Sequence, residues 1–179
     1  MSIATLSVVG LSEKASAQPQ SALPAEVAAA IPGAVALGTA RMRFFGLDIY
    51  DARLWVAPDF QADRYAQYTL ALELTYLRSL SGPAIAQRSV QEMRRSASIT
   101  ADQETRWLAA MQAAFADVRA GDRITGVHTP SVGARFWLNG QARAPIADAE
   151  FSRLFFGIWL AGTTSEPAMR TALLARPAP

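Results

Sequence analysis

Ten residues near the C-terminus, Phe151 to Leu160 (FSRLFFGIWL), carry more apolar surface than an exposed helix of a small protein can leave in water. Phe151, Leu154, Phe155, Ile158 and Trp159 recur at spacings of three and four, the stripe of a helix that faces a core. Asp148 stands where a side chain can cap that helix. The remainder of the chain must supply the cover. What packs against this segment, and whether the packing leaves room for a ligand, decides what the molecule can do.

Enough material for such a cover is present. The chain has 179 residues, 51% of them apolar and only 18% charged. That length suits one domain with a tail, and we read 1–32 as the tail and 33–176 as the domain. Net charge is +2, with arginines scattered, which excludes a nucleic-acid footprint. The absence of cysteine excludes thiol catalysis and thiolate metal sites, and a single histidine, His128, excludes a multi-histidine metal centre. No run reaches the ~18 apolar residues of a membrane span. No nucleotide-binding glycine loop and no nucleophile elbow occurs, so neither a cofactor nor a metal is expected. In the tail, Met1 to Leu11 is mostly apolar and Ala15-Ser16-Ala17 fits a signal-peptidase site, which would leave Gln18 first. With no positive residue ahead of the apolar part, this reads as the remnant of an export signal, making the protein periplasmic or otherwise exported. The alternative is a plain tail on a cytoplasmic protein.

Periodicity orders the elements. Thr39 to Phe45 alternates, with Ala40, Met42 and Phe44 on one face and Arg41 and Arg43 on the other. Leu47 to Val56 places Leu47 and Ile49 with Trp55 on one face, and Tyr50, Ala52 and Leu54 opposite. Tyr68 to Leu77 lines up Tyr68, Leu70, Leu72, Leu74 and Tyr76. A helix follows from Pro83 to about Arg95, burying Ile85, Val90 and Met93. Thr100 and Gln103 form a capping box for a second, with Trp107, Met111, Ala114 and Phe115 as its stripe. Arg123 to Thr129, Ala134 to Leu138 and Gln141 to Ile146 are strands, the last two joined by the hairpin pair Asn139-Gly140. A last helix is capped by Thr163 or Thr164, with Pro167 in its first turn. Early and late strands flanking a helical insert predict an α+β fold, an antiparallel sheet with helices on one face.

The polar residues that could hold a ligand are Arg41, Arg43, Tyr50, Tyr76 and Arg78. Arginine cannot serve as a base but holds carboxylates, enolates or phenolates well, and a tyrosine beside it can donate to the same anion. The alternative for each is structural: a core-edge tyrosine, or an arginine paired with a carboxylate. Asp48 and Asp51, three apart on a strand, fall on opposite faces, whereas Asp51 and Arg53 share one. His128 has no partner nucleophile in the sequence pattern. Trp55, Trp107, Trp137 and Trp159 lie on four different elements and either fill the core or wall a cleft.

Several pieces together resemble the bacterial chalcone isomerase-like proteins. They are ARMRFFGLDIYDARLW (40–55), LELTYLRSLSG (72–82), WLAAMQAAFADVRAGDRITGVHTP (107–130), GARFWLNG (133–140) and FSRLFFGIWLAGTTSEPAMRTALL (151–174). The resemblance implies an open-faced sandwich, a large antiparallel sheet with helices packed on one face and a ligand cleft between the layers. Plant members cyclise chalcones there with the help of an arginine, and related members bind fatty acids. Aligned on Tyr50, Phe45 stands where the plant enzymes carry a threonine, and the active-site tyrosine and asparagine have no match. Arg41 or Arg43 would be the arginine, and Trp159 joins Tyr50 and Tyr76 as a candidate cleft residue. The leading expectation is a non-catalytic binder of a small amphipathic acid such as a fatty acid. The alternatives are an isomerase or intramolecular lyase that stabilises an oxyanion with arginine, and a structural or partner-binding protein with a filled core. Arginines 41 and 43 facing bulk solvent would count against any role for them in a cleft.

Overall fold

A computed structural model describes residues 22–176. The export-signal reading, which rests on the first 17 residues, lies outside them. Six strands run in sequence order through one sheet: β1 (Val35–Phe44), β2 (Leu47–Val56), β3 (Leu70–Tyr76), β4 (Arg123–Thr129), β5 (Gly133–Leu138) and β6 (Gln141–Ala142). Every neighbouring pair is antiparallel. The helical insert, α2 (Gly82–Met93) and α3 (Ala101–Ala114), interrupts the meander between β3 and β4 without breaking their pairing. A short 3₁₀ segment, Ala62–Gln67, which sequence periodicity did not mark, lies between β2 and β3.

The main core lies between one face of the sheet and α2, α3, α4 (Ala149–Leu160) and α5 (Pro167–Leu174). β3 alternates: Leu70, Leu72, Leu74 and Tyr76 enter that core, while Ala71 turns to the other side. The other side is not bare. A short helix, α1 (Ala25–Ala30), sets Val27 there, joined by Ile31, over Trp55, Ala71 and Val127. The tail therefore ends as part of the fold, and the sheet has a small second core on the face expected to be open.

α4 is buried almost all round: Phe151, Leu154, Phe155, Phe156, Trp159 and Leu160 are enclosed, with Ile158 half-buried. Asp148 caps it, accepting from the Phe151 N–H at 2.9 Å, and the same carboxylate accepts from the Trp107 indole at 2.8 Å. α3 carries the expected capping box. The N-cap of α5 is Glu166 rather than a threonine; Thr164 instead accepts from the Glu166 N–H at 3.1 Å and donates to the Ile158 carbonyl at 2.7 Å, tying the α4–α5 turn. α5 sits so close to β1 that a Cβ on Gly38 would lie 2.3 Å from the Ala172 carbonyl oxygen.

Two register shifts revise the face assignments. Ala36 pairs Trp55 and Gly38 pairs Leu54, so Leu37 is an extra residue turned into the core. Met42 pairs Tyr50 and Arg43 pairs Asp48, so Ile49 is the extra residue of β2. Past that bulge the alternation changes phase. Ile49 faces inward with Tyr50 rather than outward with Trp55, and Asp48 rejoins the face of Asp51.

Candidate functional site

Between the sheet and the helices the core is incomplete. Phe155, Phe156 and Trp159 of α4 wall a cavity of about 350 Å³ rather than filling it. Leu72, Ile124, Gly126 and Phe136 form its apolar depth. Gly126 gives depth where another residue would not: a Cβ there would sit 3.1 Å from the Phe136 ring and 3.2 Å from that of Phe156. The opposite end is bounded by Met42 and Phe44 of β1, Ile49 and Tyr50 of β2, Tyr76 of β3, and the polar side of α2.

Polar groups gather at that end. Arg88, Ser89 and Glu92 of α2 line it together with Ser165 and Glu166 from the α4–α5 turn. Arg88 is the one cation of the lining. Its Nη2 pairs with Glu92 Oε1 at 2.6 Å, and its guanidinium lies over the Phe44 ring, 5.6 Å from the centroid. Glu92 is also held by the Ser165 hydroxyl at 2.8 Å, with Arg95 at 3.9 Å. Arg88 therefore has donors beyond the one that Glu92 uses.

Two tyrosines face the same space. The Tyr50 hydroxyl oxygen accepts from the Trp159 indole N–H at 3.0 Å, which leaves its own proton to donate. Burial raises its pKa to about 12, with the Trp159 hydrogen bond opposing and Glu166 and Glu92 adding to the rise. Tyr76 packs edge-on against Tyr50, ring centroids 5.8 Å apart. Its pKa is also raised, first by burial and then by Tyr50. Both phenols are protonated donors at neutral pH, not bases. Among the described residues the Tyr76 hydroxyl has no hydrogen-bond partner, yet no fully enclosed polar side-chain atom is unsatisfied, so this hydroxyl opens into the cavity.

Of the six residues expected from sequence, the fold brings Tyr50, Tyr76 and Trp159 together at the cavity. Arg41 and Arg43 are on the far face. Arg41 grips Asp51 through Nε (2.6 Å) and Nη2 (2.8 Å) and reaches Asp48 through Nη1 at 3.0 Å; Arg43 Nε binds Asp48 at 2.8 Å. Their side chains are 42% and 67% exposed. The hydrogen bond and charge of Asp51 raise the Arg41 pKa, and the Arg43 hydrogen bond lowers that of Asp48. The bulge at Ile49 makes this network possible, putting two carboxylates three residues apart on one face; Asp51 accordingly pairs with Arg41, and Arg53 lies over Trp55. Arg78 follows the end of β3 and does not line the cavity. Trp107 packs on Phe151, and Trp55 and Trp137 serve the opposite sheet face, so Trp159 alone of the four walls the cleft.

His128 and Ser152 are buried together, Nδ1 to Oγ at 2.6 Å. Nε2 lies 3.1 Å from the Ala66 carbonyl, which can only accept, so Nε2 carries the proton and Nδ1 accepts from Ser152. Burial lowers the His128 pKa and keeps the ring neutral. The pair does not line the cavity; it fastens β4 to α4 and to the 3₁₀ segment.

Sequence reasoning passed over Arg88, Ser89, Glu92 and the turn residues Ser165 and Glu166. A signal existed on α2: Arg88, Ser89 and Glu92 follow Ala84 and Ile85 at helical spacing, a stripe that turns polar beside the apolar one of Ala86, Val90 and Met93.

Residues 36–175 match the family model described as chalcone isomerase-like, and the chain belongs to that family. No curated protein matches its sequence. Among solved structures it is similar to the Arabidopsis thaliana fatty-acid-binding protein AtFAP1, with a TM-score of 0.62 at 10% identity, covering 80% of this chain and 87% of that one. At that identity the likeness is one of fold.

Proposed function

We propose that this chalcone isomerase-like protein is a non-catalytic binder of a small amphipathic acid, of the fatty-acid class. The observation that carries the reading is an unfilled apolar cavity whose polar end sets two protonated tyrosines, one of them lacking a partner, and the guanidinium donors that Glu92 leaves free on Arg88 beside Glu92 and Glu166. The Tyr76 hydroxyl, open to the cavity, is free to donate to a ligand oxygen. The carboxylate lies at Arg88, Tyr50 and Tyr76, and the chain runs toward Gly126 and Phe136. A volume of about 350 Å³ sits at the small end of ligand pockets, so the chain is of short to medium length. The solved relative named for fatty-acid binding supports the same class.

An isomerase reading has less to stand on. Arg41 and Arg43 lie on the far sheet face, bound to Asp51 and Asp48, and the cavity tyrosines hold their protons. Native mass spectrometry of gently purified protein tests the proposal. Acyl-chain adducts are expected; an empty protein that also takes up no added dodecanoate would reject it. Export is a separate proposal, supported by the Ala15-Ser16-Ala17 pattern, and an intact-mass measurement on protein from its native cell would show a mature chain starting at Gln18.

A further inference from the structure

The β1–β2 turn breaks two rules at once. Phe45 and Gly46 both have positive φ, +48° and +76°, a two-residue turn that ordinarily selects Asn or Asp before Gly. A bulky side chain there accepts backbone strain, and this one is also 89% exposed. Backbone strain and an exposed ring at one position point to a use for this side chain beyond the turn. Phe44 and Leu47 beside it are 46% and 49% exposed, which places three of the six exposed large hydrophobics among the described residues within four positions. The Phe44 and Phe45 rings meet edge to face, centroids 4.5 Å apart. Phe44 belongs to the cavity wall as well, beneath the Arg88 guanidinium. The apolar tip is thus continuous with the cavity's rim.

Two guanidinium groups flank it, each paired with one carboxylate and keeping further donors. Arg43 gives Asp48 only its Nε, and Arg88, bound to Glu92 through Nη2, is 52% exposed over the Phe44 ring. Aromatic rings in front and guanidinium groups one step behind complement the acyl boundary and the phosphate layer of a bilayer. We propose that the β1–β2 tip seats in the surface of a phospholipid bilayer. Phe45 and Leu47 enter the acyl boundary, Arg43 and Arg88 meet the phosphates, and the cavity rim opens onto lipid, so that an acyl ligand passes between membrane and cavity. The transfer step rests on the ligand-binding reading above; the docking step does not.

The test is flotation with phosphatidylcholine vesicles, with and without phosphatidylglycerol, of the native chain and of Phe45→Asn. Asparagine suits the positive φ, so this variant relieves strain and keeps the fold, and Phe45 does not line the cavity. The native chain is expected to float, more strongly with phosphatidylglycerol, and Phe45→Asn to bind roughly tenfold less. Affinity of the variant for dodecanoate in solution is expected to be unchanged, while its uptake of a fluorescent fatty acid from vesicles slows. Failure of the native chain to float, or equal flotation of the variant, overturns the docking surface. So does a dimer that Phe45→Asn dissolves without any vesicle binding, since the tip then meets a second copy. Flotation lost in Phe45→Asn but no dodecanoate binding by either chain keeps the docking surface and removes the carrier reading.

Discussion

Single side chains decide the chemistry at the polar end of the cavity. If Arg88 holds a carboxylate, Arg88→Met should weaken dodecanoate roughly 10- to 100-fold, the worth of a charge-assisted hydrogen bond, and leave dodecanol nearly untouched. Arg41→Ala should change neither, because Arg41 is spent on Asp51 and Asp48 across the sheet. Calorimetric titration of the two variants with both ligands separates these outcomes. Tyr50 and Tyr76 line the cavity, whereas Arg41, Arg43 and Arg78 do not; on β2 the simple alternation breaks at Ile49, where the bulge stands. Unbroken, that alternation sets Asp48 and Asp51 apart. A one-residue insertion in pairing depends on the partner strand, and local spacing cannot reveal it.

His128 makes a residue-scale prediction about pH. Its folded pKa is lowered from the ordinary 6.5, because the buried ring must stay neutral. The folded state therefore binds fewer protons than the unfolded one just below that value. The stabilising contribution is complete above about pH 6.5 and is lost as pH falls through the lowered folded value. Thermal melts should show Tm falling across that window. His128→Asn should be less stable at neutral pH, and the gap between it and the native chain should narrow as the pH drops. The Asp48 carboxyl, already below the ordinary 3.8, titrates too low to imitate this.

At the scale of elements, α4 was the most legible part of the chain. Its stripe, its cap at Asp148 and its burial all follow from FSRLFFGIWL, because a helix so apolar has few places to go. α1 lies within the segment that the sequence assigns to the tail, because six residues with no side-chain cap hold their shape through Val27 and Ile31 against Trp55 and Val127, contacts remote in sequence. α5 was placed correctly, but its closeness to β1 was hidden in a single glycine. A methyl at position 38 would meet the Ala172 and Leu173 carbonyl oxygens at 2.3 and 2.4 Å. Gly38→Ala should therefore push α5 off the strand. A destabilisation of about 1–3 kcal/mol is expected from such overpacking, read as a lower urea midpoint with an unchanged slope.

For the molecule as a whole, the layers could be inferred from the order of strands and helices, and from a likeness spread over most of the domain. Whether the layers close could not. The same Phe155, Phe156 and Trp159 that would plug a cleft in one packing wall it in another, and the difference lies in where Gly126 and the ring of Phe136 leave space. The central claim is that this space takes an acyl chain. Titration of dodecanoate into delipidated protein, beside an Ile124→Phe variant that fills the cavity's depth, tests it most directly. The native chain should bind at one site and, with ligand at a hundred times Kd, gain about 2.7 kcal/mol, a rise in Tm of roughly 5–10 °C. Ile124→Phe should fold and lose that response. Native protein that is folded, free of lipid, and neither binds dodecanoate nor melts higher in its presence would contradict the account.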